Sequence, residues 1–166
     1  MLLIKVETKF FFNFPTILLS FSLFLIREKY KNILVAVDGS EQSDKAVREA
    51  VKIAARNETS LFVLNVKDDV RLYGSAYGVP LILENLEEQS RAIIERASEI
   101  IKKQVEFKAY RVEGSPKKEI VDFAQANDID LIVIGVTGKG AFDRLLVGST
   151  TAYVIDHARC NVMVVK

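Results

Sequence analysis

Three glycines and a run of hydroxyls near the C-terminus have the types and order of an anion cradle: Gly135 and Gly138 in GVTG, then Gly148 directly before Ser149, Thr150 and Thr151. Glycine removes the side chain where a backbone turns sharply and where a ligand's oxygens approach amide hydrogens. Gly148-Ser149 stands where a helix begins, and the unpaired N–H groups and positive dipole end of a helix favour an anion. The three hydroxyls suit phosphate or a phosphate-bound Mg²⁺. A nucleotide's phosphate chain is the expected cargo. The plainer alternative is a turn followed by a capped helix.

Other chemistries fit less well. GVTGKGAF lacks the G-x-x-x-x-G-K-[ST] spacing of a Walker loop. The first strand runs into Asp38-Gly39-Ser40, so the dinucleotide fingerprint G-x-G-x-x-G is missing. A phospho-receiver needs an acceptor aspartate after its third strand, where this chain has Arg111-Val112-Glu113. His157 and Cys160, the single histidine and cysteine, are too few for a protein-only zinc site. No convincing base stands beside the cradle, so catalysis is expected to reach at most a weak, partner-dependent ATPase. With 23 Lys+Arg against 22 Asp+Glu there is no global field to draw in nucleic acid or an anionic membrane. One cysteine excludes an internal disulfide and is compatible with a reducing, cytoplasmic setting.

Residues 10–26, FFFNFPTILLSFSLFLI, do not belong to this pattern. As a helix they would reach about 26 Å, short of a bilayer core of roughly 30 Å. A membrane anchor flanked by Lys5, Lys9, Arg27 and Lys29 is one reading, and an upstream extension through a misassigned start is another. Glu7 and the lack of a small-residue cleavage site disfavour a secretory signal. Residues 1–29 are therefore set apart as a hydrophobic extension, and membrane contact is expected only if residues 10–26 anchor.

From residue 30 to 166 a single domain is expected. Short apolar, β-branched runs (NILVAV, SLFVLNV, EFKAYRV, IDLIVIG, NVMVVK) alternate with segments of helical period. Ser40 or Ser43 is placed to cap the first helix and Ser115-Pro116 to open the third. KDDVRLYGSAYGVP reads as a long loop before a second helix with Leu83, Leu86, Ile93, Ile94, Ala97, Ile100 and Ile101 on one stripe. Such alternation predicts an α/β, Rossmann-like fold: an open five-stranded parallel sheet of order 3-2-1-4-5 with helices on both faces. Strands one and four are then neighbours whose carboxyl ends part at the switch point, where such sheets leave a ligand crevice. The fifth strand, ending in VMVVK, is an apolar sheet edge, and such edges pair.

Taken together, G135-V-T-G138, nine residues and G148-S149 are similar to the G-x2-G-x9-G-[ST] signature of ATP-binding universal stress proteins. KNILVAVDGSEQSDKA resembles that family's opening and DHARCNVMVVK its close. The resemblance implies an ATP-binding regulatory module that acts as a nucleotide-dependent switch in a stress response, with Mg²⁺ or Mn²⁺ bound through the phosphates. It implies adenine and ribose between the ends of strands one and two, at Ala36, Asp38 and the Val66 backbone. It implies phosphates on Gly135, Thr137, Gly138, Lys139, Gly140, Gly148, Ser149, Thr150 and Thr151. Asp38 can accept from a ribose hydroxyl or the adenine amino group, or serve instead as a helix N-cap. Lys139 offers the phosphates a point charge, or remains a solvated cation. A homodimer through Val162–Lys166 is also implied. The competing expectation is a nucleotide-free interaction domain, like family members without the glycine signature.

Overall fold

The computed structural model describes residues 29–68, 79–138 and 147–166, with only the backbone described at 79–84. The extension at 1–28, the Leu83 side chain, Lys139 and Gly140 lie outside the described residues. Five strands run in chain order: β1 (Ile33–Ala36), β2 (Leu61–Lys67), β3 (Phe107–Glu113), β4 (Leu131–Gly135) and β5 (Asn161–Val165). Four described helices connect them: α1 (Glu41–Asn57), α2 (Val79–Ile101), α3 (Pro116–Ala126) and α4 (Ser149–His157). The sheet order is β3-β2-β1-β4-β5, all pairs parallel, as the alternation of elements predicts.

The central strand explains the layering. Every residue of β1 is buried, because both of its faces are covered. Ile33, Val35 and Val37 join Ala46, Val47, Ala50, Val51 and Ala54 of α1 and Ala97 and Ile101 of α2 in one core. Leu34 and Ala36 point the other way, toward Ile120 and Ala124 of α3 and Val154 of α4. Each large aliphatic side chain buried this way contributes about 1.5–3 kcal/mol. The edge strand β3 keeps Lys108, Arg111 and Glu113 exposed while Phe107, Tyr110 and Val112 pack inward. Tyr110, Phe62 and Phe123 form an aromatic cluster with centroids 4.9–6.4 Å apart.

Local chemistry sets the helix starts. Ser40, rather than Ser43, caps α1: its Oγ accepts from the Ser43 amide at 3.1 Å. The Ser43 hydroxyl donates back to the Ser40 carbonyl at 2.9 Å. In the first turn of α1, Asp44 takes a two-pronged ion pair from Arg96 of α2, joining the helices that cover one face. Ser115 holds the cap position of α3, but its side chain makes no capping bond; its carbonyl takes the Lys118 and Glu119 amides instead. Helix α2 begins at Val79 and takes in the last two residues of the predicted loop, because Pro80 in a first turn needs no N–H.

Candidate functional site

A cavity of about 530 Å³ opens over the carboxyl ends of β1, β2 and β4, within the roughly 300–1,000 Å³ typical of small-molecule sites. It sits at the switch point, where β2 and β4 flank β1 on opposite sides. Of the residues singled out from sequence, Ala36, Asp38, Val66, Gly135, Thr137, Gly138, Gly148, Ser149, Thr150 and Thr151 all line it. The structure therefore brings together segments more than a hundred residues apart in the chain.

The close approach of two loops builds the glycine corner. The Val136 amide donates to the Val165 carbonyl at 2.8 Å, and the Val136 carbonyl accepts from the Gly148 amide at 2.8 Å. A Cβ at Gly148 would lie 3.3 Å from both Thr137 Cα and the Val136 oxygen, so the segments meet backbone to backbone. A Cβ at Gly138 would fall onto Asp38 Oδ2. That proximity seats the Asp38 carboxylate, two residues past β1, directly over the loop after β4. Asp38 Oδ1 also accepts from the Ser40 amide at 3.0 Å, so the carboxylate supports the turn into α1 while Ser40 performs the capping.

Helix α4 starts with Gly148 in the cap position and no side-chain cap. Its first amides face the cavity end without a side-chain acceptor, and the helix dipole adds a partial positive charge there. The hydroxyls behind them differ in role. Thr151 Oγ1 is buried and donates to the Gly135 carbonyl at 2.8 Å, tying α4 to β4. Its proton is thereby committed, which leaves Ser149 and Thr150 as the hydroxyl donors at the start of α4, with Thr137 facing the cavity from the loop after β4.

At the other end Lys67 is the cavity-lining cation among the described residues. Glu113 at 2.7 Å and Glu87 at 2.8 Å hold its ammonium and raise its pKa, in that order. Glu87, also paired with Arg111, is held below the usual carboxylate range by Lys67 first and Arg111 second. Lys67 is thus a strut between β2, β3 and α2 rather than an uncompensated charge for phosphate.

Two residues of the cavity's polar floor, Asn65 and Ser90, were not singled out from the sequence. Among the described residues the buried polar side chains are Ser43, Asp44, Asn65, Ser90 and Thr151, and all except Asp44 line the cavity. Asn65 Nδ2 donates to the Val37 carbonyl at 2.8 Å and fixes the end of β1 to β2. Its signal was present: an asparagine inside the apolar run LFVLNV implies a dedicated partner.

The remaining candidates are structural. The His157 ring stacks on Tyr153 at 3.8 Å, and its Nδ1 lies 3.0 Å from the Tyr153 carbonyl in the last turn of α4. Cys160 is half-buried outside the cavity lining, and burial foremost, then the Asp130 charge, pushes its thiol pKa up. Its alkylation at neutral pH is expected to run slower than that of free cysteine and to accelerate only in the alkaline range. Rapid neutral-pH labelling of Cys160, followed by mass spectrometry, would contradict this. Among the described residues no His/Cys/Asp/Glu group could hold a metal ion, and no helix is long and apolar enough to cross a membrane.

Fold and site together define an open, doubly wound α/β domain with an amide-lined cavity at the strand-order reversal. The model of the universal stress protein family matches residues 29–166. A universal stress protein of Methanocaldococcus jannaschii is 36% identical over 140 residues, covering 82% of each chain. Universal stress protein UspA from Lactobacillus plantarum superposes with a TM-score of 0.72 at 39% identity, over 84% of this chain and all of that one. A universal stress protein from Archaeoglobus fulgidus in complex with dAMP superposes with a TM-score of 0.62 at 26% identity, over 83% and 99% of the two chains. The chain belongs to the universal stress protein family.

Proposed function

We propose that this chain is an ATP-binding regulatory module of the universal stress protein type, and that nucleotide occupancy orders the loop after Gly135 and alters a partner-binding surface. The observation that carries this reading is the juxtaposition of the side-chain-free corner at Gly138 and Gly148 with the uncapped start of α4. Related proteins solved with dAMP and with cAMP support an adenine nucleotide as the class of ligand. The phosphates lie against Gly135, Thr137, Gly138, Gly148, Ser149 and Thr150, with Lys139 and Gly140 contributed by the adjoining loop. The ribose and adenine reach Asp38, Ala36 and Val66. Any Mg²⁺ or Mn²⁺ arrives on the phosphates. The working unit is residues 30–166, the first 29 residues being an appended extension, and its setting is the cytoplasm.

The test is to purify the full chain, extract and identify any retained nucleotide, add ATP with Mg²⁺, and follow phosphate release. Retained or added ATP bound without turnover supports the module. Turnover would make it a slow ATPase, and failure to bind nucleotide would leave an interaction domain.

The assembly we propose is a homodimer joined along β5. Pairing with β4 covers one side of that strand, while Met163 and Val164 on it and Ile155 on α4 are exposed. A charge on an edge strand opposes strand addition, so Val164→Asp is expected to give a monomer that still binds ATP. Sedimentation of wild type and variant at equal concentration checks this, and a dimer that persists in the variant contradicts it.

A further inference from the structure

Helix α2 forms the cavity wall beyond β2, and Ser90 is its most deeply buried polar residue there, with 1% of its surface exposed. Its Oγ has no hydrogen-bond partner. A helical serine ordinarily returns its hydroxyl to the carbonyl four residues back. Ser98 of the same helix does so, donating to the Ile94 carbonyl at 2.8 Å. Ser90 sits on the apolar stripe between Leu86 and Ile93, where alanine would avoid an orphaned polar atom altogether. Serine torsions move between staggered wells at low cost, so a ligand group in the cavity can recruit this hydroxyl.

The fold says which part of a ligand would do so. The glycine corner belongs to β4 and α4, whereas α2 packs on β2 and α1. Two strand spacings, roughly 10 Å, separate β4 from β2. A nucleotide with its phosphates on the glycine corner therefore extends its base toward the α2 wall, near Asn65 and Ser90.

We infer that Ser90 is a specificity-determining residue at the base end of this site, its hydroxyl serving the polar edge of a bound purine. This rests on the nucleotide reading above. The test is calorimetric titration of the full chain with ATP and, separately, with inorganic tripolyphosphate, in wild type, Ser90→Ala and the near-isosteric Ser90→Cys. Thermal melting without ligand accompanies each. Both variants are expected to lose roughly tenfold in ATP affinity, to keep tripolyphosphate affinity, and to melt no lower than wild type. Unchanged ATP affinity in the variants, or equal losses for ATP and tripolyphosphate, would overturn the assignment. Wild-type protein that binds no nucleotide would instead overturn the functional reading, and this inference with it.

Discussion

Replacing Gly138 by valine is expected to lower ATP affinity about 100-fold or more, the loss of roughly 3 kcal/mol of contacts to the phosphates. The added carbons occupy two places at once. The Cβ displaces the Asp38 carboxylate, whose Oδ2 now occupies that space, and the γ-methyls stand where phosphate oxygens approach the main chain. Folding should survive, because the displaced atom is the tip of a side chain rather than backbone. Calorimetry with ATP checks the affinity, and a melting temperature within about 2 °C of wild type without nucleotide checks the fold. Gly138→Ala, with a smaller intrusion, should lose about tenfold. Wild-type affinity in the valine variant would mean that phosphates do not approach this corner.

A substitution three residues earlier should do the opposite, harming the fold first. Gly135 ends β4 in a fully buried position, and a Cβ there would lie 2.9 Å from the Gln42 carbonyl carbon and 2.9 Å from Gln42 Cβ. The obstacle is the α1 backbone, which cannot swing aside as a side chain does. Overpacking of this kind costs about 1–3 kcal/mol, so Gly135→Ala should lower the melting temperature by roughly 3–12 °C. Gly135→Val should lower it further. The Gly135 carbonyl also receives the Thr151 hydroxyl, so the strain reaches the start of α4 and ATP binding weakens as a secondary effect. Denaturant unfolding without ligand separates the two: the midpoint falls at unchanged slope. A midpoint equal to wild type would contradict this close apposition of β4 and α1.

These two glycines also show what could be read from the chain and what could not. The β-branched runs and the glycines that end them were enough to place the strands, and right-handed crossovers then set the sheet order and its switch point. The spacing from Gly135 to Gly148 was visible, but the reason for it was not. It emerges only when the Val136 carbonyl binds the Gly148 amide and brings the two turns into contact. Thr151 read as a phosphate hydroxyl, yet register places it beneath the helix start with its proton committed to Gly135. Ser90 and Lys67 were illegible for a related reason. Their place in the cavity depends on where α2 crosses β2, a tertiary fact with no local signature, although Ser90 does interrupt the stripe from Leu86 to Ile93. Lys67, next to two aspartates in sequence, carried no sign that its partners would be Glu87 and Glu113.

Nucleotide recognition here depends most on the main chain at the start of α4 and the turn after β4 gripping a triphosphate. Titrating isotopically labelled protein with ATP and following amide resonances by nuclear magnetic resonance tests this directly. The largest shifts are expected at Thr137, Gly138, Ser149 and Thr150, and inorganic tripolyphosphate should reproduce them while leaving Asn65 and Val66 nearly unmoved. Shifts confined to other parts of the sheet, or tripolyphosphate signals absent from the α4 start, would contradict it.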